Sequence, residues 1–206
     1  MFSLAKILGP QLPFINILDV GAMIEGPPRY ASIYQSGNAS LTLVEPDKEQ
    51  ADHLKNTFGD DVRLLDCYLG DGSSASVHLT HYPGCSSIYE PDSRIINQFE
   101  AIGTDPNSNF SVNETRKIKT HRLDSIFPTV IADLMKIDVQ GAELKILENA
   151  PELLTKVSVI ETEAEFIPIY KNQPLFGDLQ VFLRQKGFSL HKFIDIGSRC
   201  FRPMRF

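Results

Sequence analysis

Residues Leu134–Leu147 read LMKIDVQGAELKIL, and this stretch decides the fold. The apolar run LMKI reads as a buried strand. It ends in a carboxylate, Asp138, and passes through Gly141 at once into a helix with Glu143 in its first turn. Burying an acid is costly unless something at the strand end uses it. The pattern recurs outward along the chain. FINILDV (14–20) is a strand with Asp19 at its end, ASLTLVE (39–45) ends at Glu45, and DDVRLLD (60–66) ends at Asp66. KVSVIETE (156–163) carries Glu161 and Glu163, and GFSLHKFIDI (187–196) reads as a sixth strand.

Helical patterns fill the gaps. In PDKEQADHLKNTFG (46–59), Ala51, Leu54 and Phe58 recur at helical spacing, with Asp47 as N-cap and Gly59 as stop. In PLFGDLQVFLRQKG (174–187), Leu175, Leu179, Phe182 and Leu183 share a face and Gly187 ends the helix. Near-continuous apolar strands alternating with helices predict βαβ units and a mostly parallel sheet covered on both faces. Residues 71–123 break the rhythm and are too long for one crossover. They are expected to hold a strand or hairpin arm, a turn at HYPGCSS (81–87) and a polar loop at TDPNSNFSVNET (104–115), in the manner of a lid. Asp124 reads as a helix N-cap.

The chain of 206 residues suits one sizeable core, with 42% hydrophobic and 22% charged residues. A net charge of −6 argues against a general nucleic-acid or anionic-membrane binder. No apolar run is long enough to span a bilayer, and the opening MFSLAKILGPQLPF lacks the long apolar region of a secretory signal. Cys67, Cys85 and Cys200 form neither a disulfide framework nor a zinc pattern, so a reducing, cytoplasmic setting is expected.

In open parallel sheets, ligands sit beyond the carboxyl ends of the strands. Asp19 and Gly21 stand at the first such end. Glu45 follows Gly21 by 24 residues, the interval of an acid that grips ribose hydroxyls. After Gly21 the chain reads Ala22, Met23, Ile24, Glu25, so the second and third glycines of a dinucleotide fingerprint are missing. Glu25 disfavours a pyrophosphate and suits the cationic S-adenosylmethionine better than NAD.

Taken together, DVGA (19–22), VEPD (44–47), LMKIDVQGAELKIL and ETEAEFIPIYKNQPLFGDL (161–179) resemble the FkbM family of methyltransferases over roughly residues 16–195. The resemblance implies one domain over 1–206 with the class I methyltransferase fold. That fold is α/β and Rossmann-like: a doubly wound, mostly parallel sheet with helices on both faces. Its C-terminal antiparallel strand is short or missing here, because only GSRCFRPMRF follows residue 196. The resemblance further implies S-adenosylmethionine as cofactor and methylation of a hydroxyl oxygen on a sugar, glycan or other small-molecule acceptor. By the same match Asp19, Gly21 and Ala22 form the cofactor loop and Glu45 grips the ribose. Asp66, Cys67, Tyr68 and Leu69 edge the adenine, and Asp138 lies beside the transferred methyl group.

An alcohol is a weak nucleophile and needs a base. Asp138 is the first candidate, followed by Glu163 and by His81 in the insert. Glu161 and Glu163 are alternate residues of one strand and point the same way. Asp138, Glu161 and Glu163 could offer oxygens to magnesium, but no ligand motif supports a metal and none is assigned. Ser86 and Ser87 read equally as loop contacts near the cofactor or as turn residues. Two rival readings remain open: a non-catalytic S-adenosylmethionine-binding module and an NAD-dependent oxidoreductase. An open sheet edge would also invite self-association.

Overall fold

A computed structural model describes residues 7–23, 26–126 and 129–203. Among them, eight strands follow in chain order: β1 (Ile15–Val20), β2 (Ala39–Val44), β3 (Arg63–Leu65), β4 (Tyr68–Leu69), β5 (Ser74–Thr80), β6 (Val112–His121), β7 (Leu134–Ile137) and β8 (Val159–Thr162). The helices are α1 (Ala31–Gln35), α2 (Lys48–Phe58), α3 (Ser93–Ile96), α4 (Glu143–Glu148), α5 (Pro151–Leu154) and α6 (Phe176–Gln185). Five strands form one parallel sheet in the order β3-β2-β1-β7-β8. No helix among the described residues is long and apolar enough to cross a membrane.

Successive residues of a strand point to opposite faces, so a strand apolar throughout feeds two cores. In β1, Ile17 enters one cluster with Leu41, Leu43, Tyr30 and Leu54, against α1 and α2. Its neighbour Leu18 enters the other, with Met135, Ile137, Leu147 and Leu179, against α4, α5 and α6. Each fully buried leucine or isoleucine contributes about 2 kcal/mol by transfer from water. The α/β, Rossmann-like class expected from the sequence is the class observed. Both long helices form where their periodicity placed them. Asp47 caps α2 by accepting from Gln50 N at 3.0 Å, and Gly59 closes it with φ of +86°.

The order runs outward from β1 through β2 and β3 on one side and through β7 and β8 on the other. The strand order therefore reverses between β1 and β7, and in open parallel sheets the carboxyl ends at such a switch point are where a crevice is expected. Gly21 follows β1 with φ of +76°, and a Cβ built there would lie 1.9 Å from the carbonyl oxygen of Asp138. Only glycine lets these two strand ends meet.

Three sequence expectations are corrected. Residues 187–196 form no strand: Phe193 and Ile196 are 48% and 72% exposed. This segment finds side-chain partners instead of a backbone partner. Phe193 packs on Phe166 and Phe176 at centroid distances of 6.1 and 5.2 Å, and Asp195 pairs with Arg29. Beyond it Phe201 stacks on Phe99 at 4.7 Å and makes a single bridge there, so β8 is left at the edge. Second, the insert holds the expected hairpin arm, but the stretch 104–115 is not all loop, because its end from Val112 onward lies in β6. β5 and β6 pair antiparallel, β4 joins β6, and Cys85, Ile96, Phe99, Ile102 and Phe110 build a satellite core with Ile169 and Tyr170. Third, Asp124 caps a distant helix. It lies in a short 3-10 turn and accepts from Glu152 N and Leu153 N, at the start of α5.

Replacing Gly21 with alanine adds left-handed strain to a backbone clash, and should cost about 3 kcal/mol or more in urea unfolding. Gly37 supplies the control: φ is +78° but the space around it is open, so Gly37→Ala should cost only about 1 kcal/mol. Equal losses would show that the approach of β1 to β7 is not tight.

Candidate active site at the β1/β7 switch point

The register of β1 on β7 sets Asp19 directly beside Lys136. Lys136 Nζ donates to Asp19 Oδ1 at 3.1 Å and lies 3.8 Å from Asp138 Oδ2. Tyr30 OH donates to Asp19 Oδ2 at 2.6 Å. Burial disfavours charge on Lys136, but Asp19 and Asp138 outweigh it and hold the ammonium above its usual range. Both oxygens of Asp19 are thus engaged by the protein, and the residue is buried. Ala22 is buried in the core cluster that holds Tyr30, and its N–H donates to Val44 O at 3.3 Å. Glu25 lies outside the described residues.

Glu45, buried at the end of β2, accepts from Asp47 N through Oε1 at 2.7 Å. Its second oxygen meets no protein donor among the described residues. Burial pushes this carboxyl up to about 7, against the pull of the Asp47 amide. A buried acid with one oxygen held and one open is built to accept a hydroxyl from outside. On the neighbouring loop Asp66 is exposed, Cys67 and Tyr68 are half-buried, and Leu69 belongs to the core. Burial raises the Tyr68 hydroxyl against the pull of Arg116, and the charges of Glu45, Asp47 and Asp66 add to the rise.

Across the crevice four acids gather. One oxygen each of Asp138, Glu143 and Glu163 lies within 4.8 Å of the others. Glu143 is 4% exposed, and its Oε1 accepts from Val139 N at 2.8 Å and Gly141 N at 3.3 Å. Burial raises it to about 7. Gln140 Nε2 donates to Asp138 Oδ1 at 3.2 Å and to Glu163 Oε2 at 2.9 Å. Glu163 reaches the surface, yet the protein packed around its carboxyl and the charges of Asp138 and Glu165 push it up to about 9. Glu165, also raised to about 7 by burial, accepts from Gln173 Nε2 at 2.6 Å. The three clustered oxygens are the described set from which a cation could be held, but protein donors already reach all three carboxylates.

Not every expected residue joins this group. His81 is exposed at the end of β5, and no hydrogen bond or ion pair links it to the acids. Glu161 pairs with Arg29 at 3.3 Å. Ser86 Oγ accepts from Thr80 N, and Ser87 Oγ donates to Gln140 O at 2.6 Å, so both brace the insert. Sequence reasoning passed over Lys136, Tyr30, Gln140, Glu165 and Gln173. Lys136 carried a signal: a lysine inside an apolar strand, two residues before Asp138 and therefore on the same face.

This geometry defines an α/β, Rossmann-like protein with a cluster of acids at the switch point of its parallel sheet. Residues 19–190 match the family model described as the methyltransferase FkbM domain. The chain belongs to the FkbM methyltransferase family. It is 26% identical over 164 residues to a protein of Jannaschia sp. (strain CCS1) named "Putative methyltransferase", covering 73% of this chain and 52% of that one. The chain thus spans about half the length of this relative. No solved structure matches it.

The acids set a pH dependence of stability. Glu143 ionises near 4.5 when unfolded and near about 7 when folded. The unfolded state releases its proton first, so stability falls as pH rises from 4.5 to 7 and then levels off. At full value this one group accounts for about 3 kcal/mol. Glu143→Gln keeps the acceptor oxygen for Val139 and Gly141, and should flatten the fall in Tm between pH 5 and 8. An unchanged slope would place the effect on other groups.

Proposed function

We propose that this protein is an S-adenosylmethionine-dependent methyltransferase that methylates a hydroxyl oxygen on a sugar, glycan or other small-molecule acceptor. The observation that carries the reading is Glu45: a buried carboxylate at the end of β2, anchored by one oxygen and open at the other, beside the Gly21 turn. Its open oxygen suits a ribose hydroxyl, and Tyr68 and Asp66 flank the adenine side. The bound cofactor supplies a methyl group already activated on a sulfonium.

What remains for the chain is positioning and proton removal. As the acceptor oxygen takes the methyl group, its proton passes to Asp138 at the end of β7. Burial and the charges of Asp138 and Glu165 keep the Glu163 carboxyl protonated at neutral pH, which spares the site a further charge. Lys136, held charged between Asp19 and Asp138, fixes the base from behind. A reducing, cytoplasmic setting is part of the proposal. Neither nucleic acid nor a membrane is proposed as partner. Self-association through the unpaired edge of β8 is supported by the exposure of Val159, and a clean monomer at high concentration by light scattering would count against it.

Calorimetry with S-adenosylhomocysteine and with NAD separates the reading from an oxidoreductase; only the first should bind. Glu45→Ala should weaken that binding by about 10–100-fold, the worth of a charge-assisted hydrogen bond. Asp138→Asn should keep cofactor binding and lose turnover on an alcohol and sugar panel. Full turnover in that variant would remove Asp138 from the role of base.

A further inference from the structure

Gln140 uses every polar atom of its side chain. Its two amide hydrogens go to two different acids, Asp138 at 3.2 Å and Glu163 at 2.9 Å. Its Oε1 lies 3.2 Å from Tyr170 OH, which also reaches Cys85 O at 2.9 Å. Its backbone carbonyl accepts from Ser87 Oγ at 2.6 Å. The orientation of the amide is set by Asp138 and Tyr170: turned over, its oxygen would face the Asp138 carboxylate and its NH2 would face the Tyr170 hydroxyl. The residue also holds a left-handed φ of +57°, which a non-glycine residue adopts at a cost.

Tyr170 is fully buried in the satellite core with Cys85, Ile96 and Phe110, and Ser87 bridges His78 of β5. Ser87 is therefore a contact from the insert itself, and Tyr170, from the segment after β8, is held by the core of the insert. We propose that Gln140 is a positioning residue for the base: it aims Asp138 and ties it to Glu163, and the insert sets that aim directly through Ser87 and indirectly through Tyr170, which is seated in its core. The role of Asp138 as base rests on the methyl-transfer reading above; the linkage itself does not. Any rearrangement of the Tyr170–Cys85–Ser87 patch then changes where Asp138 points, which couples the insert to the chemistry.

The test needs no acceptor. The Asp138 and Glu163 carboxyl signals are followed by 13C NMR in the full chain, assigned with Asp138→Asn and Glu163→Gln, beside Tm and S-adenosylhomocysteine calorimetry. Gln140→Gly accepts the left-handed turn and deletes the amide. It should keep the Tm of the parent and the affinity for S-adenosylhomocysteine, yet move both carboxyl signals. Tyr170→Phe and Ser87→Ala touch neither acid and should move the Asp138 signal in the same direction by less. Gln140→Asn tolerates the turn but is one methylene short, and should behave as Gln140→Gly. A purely structural role predicts the opposite: Tm falls in Tyr170→Phe and Ser87→Ala while the Asp138 signal stays in place. An unmoved Asp138 signal in Gln140→Gly overturns the proposal outright. Failure of the parent protein to bind S-adenosylhomocysteine would sink the methyltransferase reading and leave the carboxyl result standing by itself.

Discussion

The contact on which the rest depends is the approach of Gly21 to the carbonyl of Asp138. It joins the ends of β1 and β7, the two strands between which the sheet changes direction. Without it Asp19, Lys136 and Asp138 would not share one face at one level. The ion pair of Lys136 with Asp19 is a consequence of that register, and so is the position of Asp138 over the crevice. A buried pair of this kind gives little net stability, because desolvation offsets the attraction. Its effect is to fix geometry: with Tyr30 and Lys136 in place, neither oxygen of Asp19 is left unmet.

The acids follow a second constraint. Glu143, Glu163 and Glu165 lie at the carboxyl ends of β7 and β8 and in the turns that follow, where the parallel sheet directs its loops. Placed so close, they cannot all ionise cheaply, and burial raises each. The protein meets the cost with neutral donors: the Gln140 and Gln173 amides and the Val139 and Gly141 N–H groups. Amides supply hydrogen bonds without cancelling charge, so the mouth of the crevice stays acidic.

The sheet was legible in the sequence because strands buried on both faces must be apolar throughout, and β1, β2 and β7 are. Gly21, Glu45 and Asp138 were legible because strand ends in an open parallel sheet converge. Two kinds of feature were not. Tyr30 and Tyr170 act across long loops, and no local pattern reports which acid or amide a distant hydroxyl will meet. Segment 187–196 misled for the opposite reason. Phe188, Leu190, Ile194 and Ile196 alternate as a strand should, yet alternation states only which side chains seek cover and not which backbone supplies a partner. Here Phe166, Phe176 and Arg29 engage the segment before the edge of β8 does.

The acidic mouth also bears on the choice of cofactor. A pyrophosphate needs several donors at a glycine-rich turn and the amino end of a long helix. Here the turn after β1 has one glycine in the left-handed region near the strand end, and the helix that follows, α1, spans five residues. Asp138 and Glu165 stand across from it, beside a Glu163 carboxyl that keeps its proton at neutral pH. Coulomb repulsion at a few ångströms in a partly dry site costs several kcal/mol (about 4 kcal/mol per pair at 4 Å and an effective dielectric near 20), so a dianionic ligand is penalised there while a sulfonium and an ammonium are drawn in. In the proposed methyl transfer the same field would sort acceptors: a neutral hydroxyl would approach Asp138 freely, whereas a phosphorylated one would have to pass the acids first.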